Sequence, residues 1–171
     1  MPELTQVKET KKGRYALFFD GEFAFSLDED TFAMAGLHTG DELEEWQIHD
    51  LQTKSDTRKA VDKAMDLLAL RDHAAGELYQ KLCRSFDPHS AAAAVAKMQE
   101  LNLLDDAGFA RRRAAELLRK RKSRRAILDD LHAKGIDRGT AAEAVEALFA
   151  QSEEDEEENP ELANARALVE R

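Results

Sequence analysis

The stretch DDAGFARRRAAELLRKRKSRRAILDDLHAKGID, Asp105 to Asp137, decides the fold. From Arg111 to Arg125 it holds nine Lys or Arg and one acid, in a chain of 171 residues whose net charge is −10. On a helical wheel of about 100° per residue, with Arg111 at zero, Ala110, Ala114, Leu117 and Leu118 occupy about 240° to 340°. Arg111, Lys122, Arg119 and Arg112 occupy about 0° to 100°, and Lys120 and Arg113 continue to about 200°. An apolar stripe and a basic face are therefore separate on one helix. Arg121 would fall in the stripe, so the helix ends near it. Ser123 then caps a second helix. Arg124 and Arg125 stand in its first turn, where the already positive helix N-terminus disfavours cations.

The same spacing occurs earlier in the chain. With a shift of about 50 residues, Leu117 and Leu118 fall on Leu67 and Leu68, and Asp137 falls on Asp87. Val145 and Leu148 fall on Val95 and Met98, and Ile127 and Leu131 fall within one position of Leu78 and Leu82. The one-residue change of offset lies at the Lys134-Gly135 turn. Asp87-Pro88 is a strong helix start, with Asp as cap and Pro at the first helical position. Each unit is three helices, too small to bury its apolar face alone, so neighbouring units should stack. Phe109, the bulkiest apolar residue of the second unit's first helix, is expected to plug the junction between them.

Before the repeats, RYALFFDGEFAFSL (Arg14 to Leu27) reads as a β-hairpin turning at Asp20-Gly21. Its register is ambiguous, because Phe18, Phe19, Phe23 and Phe25 do not alternate cleanly. Ser26 to Glu29, SLDE, has the pattern of a capping box for a short helix stopping at Gly36. Asp41 to Glu44 opens another helix, with Leu43, Trp46 and Leu51 expected inward. After the repeats, Glu153 to Glu158 is a run of six acids, and such runs are usually solvated linker. The expected order is an α+β module at 1–54, three-helix repeats at 55–103 and 104–150, and an acidic linker at 151–160. Residues 161–171 read as the start of a third repeat, cut short. The expected fold is mainly α: tandem three-helix repeats forming an elongated solenoid behind a small module with a β-hairpin.

The one cysteine, Cys83, excludes an internal disulfide framework. No apolar run approaches the ~20 residues needed to span a bilayer. A cytoplasmic chain with no membrane partner is expected. The five histidines form no i, i+4 pair and none has metal-ligand spacing to Cys83. Asp28-Glu29-Asp30 lacks the glycine and late Glu of a calcium loop. No phosphate loop or nucleophile elbow occurs among the eight glycines. Nothing calls for a cofactor or a catalytic role.

Two readings of the basic stretch remain. It is a solvated helical face, or it is a surface for a polyanion or an acidic protein groove, where a negative partner relieves the self-repulsion. In the second reading, Arg111, Arg112, Arg113, Arg119, Lys120, Lys122, Arg124 and Arg125 carry the contact. No aromatic stands among these arginines, which argues against stacking on single-stranded bases.

LLDDAGFA (Leu103 to Ala110), AKGID (Ala133 to Asp137) and ELYQKL (Glu77 to Leu82) resemble words of the RecX family in their order and spacing. The resemblance covers residues 57–150 well and 1–54 more weakly. It departs from the family's pattern at Ser123, where members often carry glycine. Ser85-Phe86 also replaces, in repeat one, what Gly135-Ile136 supplies in repeat two. The resemblance implies a non-enzymatic bacterial regulator that binds the RecA recombinase on DNA, and a monomer is expected. It would lie in the filament groove and restrain ATP hydrolysis, strand exchange and repressor cleavage, in recombination, DNA repair and the SOS response. DNA, single-stranded or duplex, would be contacted through the filament. The alternative is a sequence-independent DNA-binding repeat protein that does not depend on RecA.

Overall fold

The computed structural model describes residues 1–158. Strands β1 (Leu4–Glu9), β2 (Tyr15–Phe19) and β3 (Glu22–Leu27) form an antiparallel sheet in that order. Seven helices follow among the described residues: α1 (Glu29–Ala35), α2 (Glu45–Leu70), α3 (Ala75–Leu82), α4 (Pro88–Glu100), α5 (Asp106–Arg119), α6 (Arg124–Ala133) and α7 (Arg138–Glu158). The fold is the expected one, a helical-repeat protein behind a small β module. No helix among the described residues is long and apolar enough to cross a membrane.

Contacts gather the chain into two compact units. One is Met1–Ala69 with Lys81–Glu100, and the other is Leu70–Gln80 with the described residues from Leu101 on. These limits differ from the sequence divisions at 54 and 103. α2 runs unbroken through residues 54 and 55.

In the first unit, the hairpin turns through Asp20 (φ 50°) and Gly21 (φ 83°), both left-handed as the strand twist favours. The ambiguous aromatic pattern has a physical cause. Leu17 pairs with Phe25 but Phe18 pairs with Phe23, so Ala24 is an extra residue and the strand bulges. The bulge lets Leu17, Phe19 and Phe25 all reach the core, while Phe23 stays exposed against Phe18. β1 escapes the sequence pattern because Leu4 is its only buried residue. The capping residue of α1 is Asp28, not Ser26: its carboxylate accepts from the Thr31 N–H at 3.1 Å. Ser26 stays in β3, where Arg14 donates to its Oγ at 3.0 Å and buried Ser55 donates to its carbonyl. Trp46 is corrected as well. It is 65% exposed, and its indole N–H is satisfied by Glu44 on the surface, while Leu43 and Leu51 are buried as expected.

In the second unit, α5, α6 and α7 pack on one another. Their core is Ala110, Ala114, Leu117, Ile127, Leu131, Ile136, Ala141, Ala144 and Val145, with Ala74 from the arm before α3. α7 continues through residues 151–158, where a linker was expected. Glu and Gln are good helix formers, and extending an existing helix needs no new nucleus, which offsets the repulsion of like charges. The expected third-repeat start at 161–171 lies outside the described residues.

The arm at 70–80 is joined to this unit by a close backbone approach. A Cβ built on Gly76 would lie 2.7 Å from Gly135 Cα, so neither position has room for a side chain. Gly135 also has φ +83°, which glycine adopts at no steric cost. Beside this contact, the Ala75 N–H donates to Asp106 Oδ1 at 2.8 Å, and Lys134 Nζ bonds Glu77 Oε2 at 3.1 Å. Glu77 also takes Arg71 at 3.0 Å. Gly76→Ala tests the approach cleanly, because alanine in a helix would by itself add about 1 kcal/mol. The expected result is instead a loss of about 1–3 kcal/mol from overpacking, read as a lower melting temperature by circular dichroism. An unchanged or raised midpoint would mean that the two backbones can part without cost.

Candidate polyanion interface

α5 forms where the chain supplies a cap, a stripe and a stop. Asp105 Oδ1 accepts from the Gly108 N–H at 3.0 Å, and Ala110, Ala114 and Leu117 are buried as the wheel predicts. The helix ends at Arg119. The Lys122 N–H returns to the Leu117 carbonyl at 3.0 Å, and Arg121 takes φ 63°. That left-handed residue carries the chain out of the apolar stripe before an arginine must enter it, at a steric cost for a non-glycine residue. Ser123 caps α6 as expected, its hydroxyl accepting from the Ala126 N–H at 3.1 Å.

The structure divides the eight candidate cations. Arg111, Arg119, Lys122 and Arg125 are exposed and form no ion pair among the described residues. Arg112 reaches the exposed Asp72 at 3.3 Å, and Lys120 reaches Glu116 at 3.3 Å. Arg124 lies over the Phe149 ring, 4.9 Å from its centroid. This cation–π contact offsets its poor position at a helix start.

Arg113 is the exception. It is half-buried and grips Asp130 with two nitrogens, at 2.9 and 3.1 Å, and touches Glu116 at 3.3 Å. It ties α5 to α6. The paired Arg113 holds the Asp130 carboxyl below the usual carboxylate range, outweighing its partial burial. At Glu77, burial pushes the other way but is outweighed by Arg71 and Lys134, so its carboxyl is also lowered.

Phe109 does not fill a fully buried plug site. It is half-buried, packs on the core of the second unit, and lines a groove with Arg71, Arg112, Ala115, Arg119 and Lys134. The wheel could not reveal Arg71 or Lys134 as neighbours of α5. The available clue was that Glu77 and Lys134-Gly135 stand in two of the motif words whose spacing repeats. Among the described residues no cluster of three or more His, Cys, Asp or Glu could hold a metal ion.

The fold and surface together define a class: a small helical-repeat protein that presents a cationic helix face. Comparison with known proteins agrees. Residues 105–145 match the model of the RecX second three-helix domain. The chain is 27% identical over 149 residues to regulatory protein RecX of Caldanaerobacter subterraneus, covering 86% of this chain and 76% of that one. It is 30% identical over 171 residues to that of Lactobacillus gasseri, covering 99% and 62%. With that of Lactobacillus delbrueckii subsp. bulgaricus it shares 35% over 140 residues, covering 80% and 52%. A crystal structure of regulatory protein RecX shares the fold, with a TM-score of 0.64 at 24% identity over 86% of this chain and 74% of that one. The chain is thus similar to RecX proteins over most of its length, and residues 105–145 resemble their second three-helix domain. It spans about half to three quarters of the length of these relatives.

Two outcomes check the site's framework. Both lowered carboxyls contribute stability that is full above the ordinary carboxylate pKa, about 4, and is lost as pH falls through their depressed folded values. Asp130→Asn should therefore cost about 1–3 kcal/mol at neutral pH and flatten the acid limb of a pH melt. An acid limb identical to that of the parent chain would show that the Arg113–Asp130 tie is idle. Phe109→Ala should cost less than the ~3–5 kcal/mol of a fully buried phenylalanine, since part of its ring already faces solvent. Urea denaturation measures it, and a full-sized loss would mean that the ring is buried in solution.

Proposed function

We propose that this chain regulates RecA by docking on the RecA–DNA filament through the basic face of α5, restraining ATP hydrolysis, strand exchange and coprotease activity. The observation that carries the reading is the charge of that face. In a chain of net charge −10, a stretch that matches a RecX domain leaves Arg111 and Arg119 of α5, Lys122 just past its end and Arg125 of α6 exposed, with no internal ion pair among the described residues. Such a face is self-repulsive until a negative partner covers it, and complementary charge raises both specificity and association rate.

Arg111, Arg112, Arg119 and Lys122 all point away from the buried stripe. Replacing the four with Glu should leave helicity and melting nearly unchanged while weakening filament binding by about tenfold or more. The measurement is inhibition of RecA ATPase on single-stranded DNA, alongside circular dichroism. Full inhibition by the folded variant would make the face ordinary solvated surface. Affinity for bare single strands, compared with RecA-coated strands at one salt concentration, separates filament docking from plain DNA binding. Equal affinity for both would favour the second, with its steep salt dependence.

A further inference from the structure

The groove beside α5 lies within the second unit and is lined by Phe109 and Ala115, with Arg71, Arg112, Arg119 and Lys134 among its cations. These cations are not equally committed. Arg71 and Lys134 both hold Glu77, whose side chain is only 11% exposed. Arg119 has no ion pair among the described residues. Arg112 holds Asp72 by a single contact at 3.3 Å, and the two side chains are 59% and 75% exposed. An ion pair that exposed is weak, so Asp72 is easily displaced. The lining thus places an apolar spot next to one uncommitted guanidinium and one guanidinium occupied by an exchangeable carboxylate.

We propose that this groove is a docking site for an acidic segment of a partner protein. Carboxylates of that segment take Arg112 and Arg119, and an apolar neighbour sits on Phe109 and Ala115. Asp72 is the intramolecular stand-in that the incoming carboxylate displaces. Carboxylate suits a guanidinium fork, which it meets with two parallel hydrogen bonds. A phosphodiester strand is a poorer fit, because it brings a charge at every nucleotide and Asp72 and Glu116 both line the groove. A peptide can space its acids and set an amide or an apolar side chain against those two. The inference rests on reading α5 as the docking face, and it assigns the neighbouring groove a protein ligand of its own.

The test is direct binding by fluorescence anisotropy, using the full chain without RecA. The probes are a labelled peptide of repeating Glu-Leu-Asp units and labelled oligothymidylate. The peptide should bind the parent chain. Asp72→Asn, which removes the competing carboxylate, should tighten it by about 3- to 5-fold. Ala115→Trp fills the groove without changing any charge and should weaken the peptide by about tenfold or more at unchanged melting temperature. Absence of peptide binding, or affinity unmoved by both substitutions, overturns the proposal. Oligothymidylate that responds to both variants while the peptide does not makes this a nucleic-acid groove and overturns it equally. The outcome is separable from that of the basic face: if the four-glutamate variant inhibits RecA fully, the docking reading fails even where the peptide titration succeeds.

Discussion

Gly76 and Gly135 meet with no room for a Cβ on either side, and the second unit depends on that approach. It brings the arm at 70–80 against the α6–α7 turn closely enough for Glu77 to bond both Arg71 and Lys134. It also sets the Ala75 N–H on Asp106, at the first residue of α5. A larger residue at either glycine would separate two backbones, and each polar contact around them is short enough to be lost by a shift of an ångström. Glu77 in particular is nearly buried, and a buried carboxylate is tolerated only while its cationic partners stay within reach.

α5 translates that framework into a surface. One side of the helix is buried with Ile127, Leu131 and Val145 in the common core, and one flank is tied to α6 through Arg113 and Asp130. What remains on the helix, exposed and without an ion pair among the described residues, is Arg111 and Arg119, beside the loosely held Arg112. Charge of one sign is kept on an element whose position is fixed on two sides, so any partner docking there would not have to order it. The entropy of arranging those backbone positions has already been spent in folding.

Much of this was legible from periodicity. The wheel separates the stripe from the basic face of α5, the end near Arg121 follows from where the stripe would admit an arginine, and Ser123 is recognisable as a cap. The features that were hidden share a cause, since each depends on residues that local pattern does not connect. The bulge at Ala24 is visible only from pairing across the hairpin. β1 carries a single buried side chain. Trp46 looks like core because it is large and apolar, yet it lies on the outer side of α2. Arg113 shares the basic arc of the wheel with Arg112, and only the position of Asp130 distinguishes a strut from a free cation. The groove needed Arg71 and Lys134, which are far apart in the chain and which only the three-dimensional packing brings beside α5.

The two units are interleaved along the chain. It leaves the first at Leu70, re-enters it at Lys81, and crosses again at Leu101, so that α3 is shared between them. Neither unit is therefore a contiguous stretch that a single cut could release. A fragment beginning near Asp105, where the family's second domain is drawn, would hold all of α5, α6 and α7 yet lack Ala74, Gly76 and Glu77. It would expose the bare backbone of Gly135 and leave Lys134 without its carboxylate. The divisible module and the foldable module are not the same piece of this chain. Shuffling or duplicating the three-helix repeat would have to carry the preceding arm with it, so the smallest heritable unit of this architecture is longer than the repeat that the sequence displays.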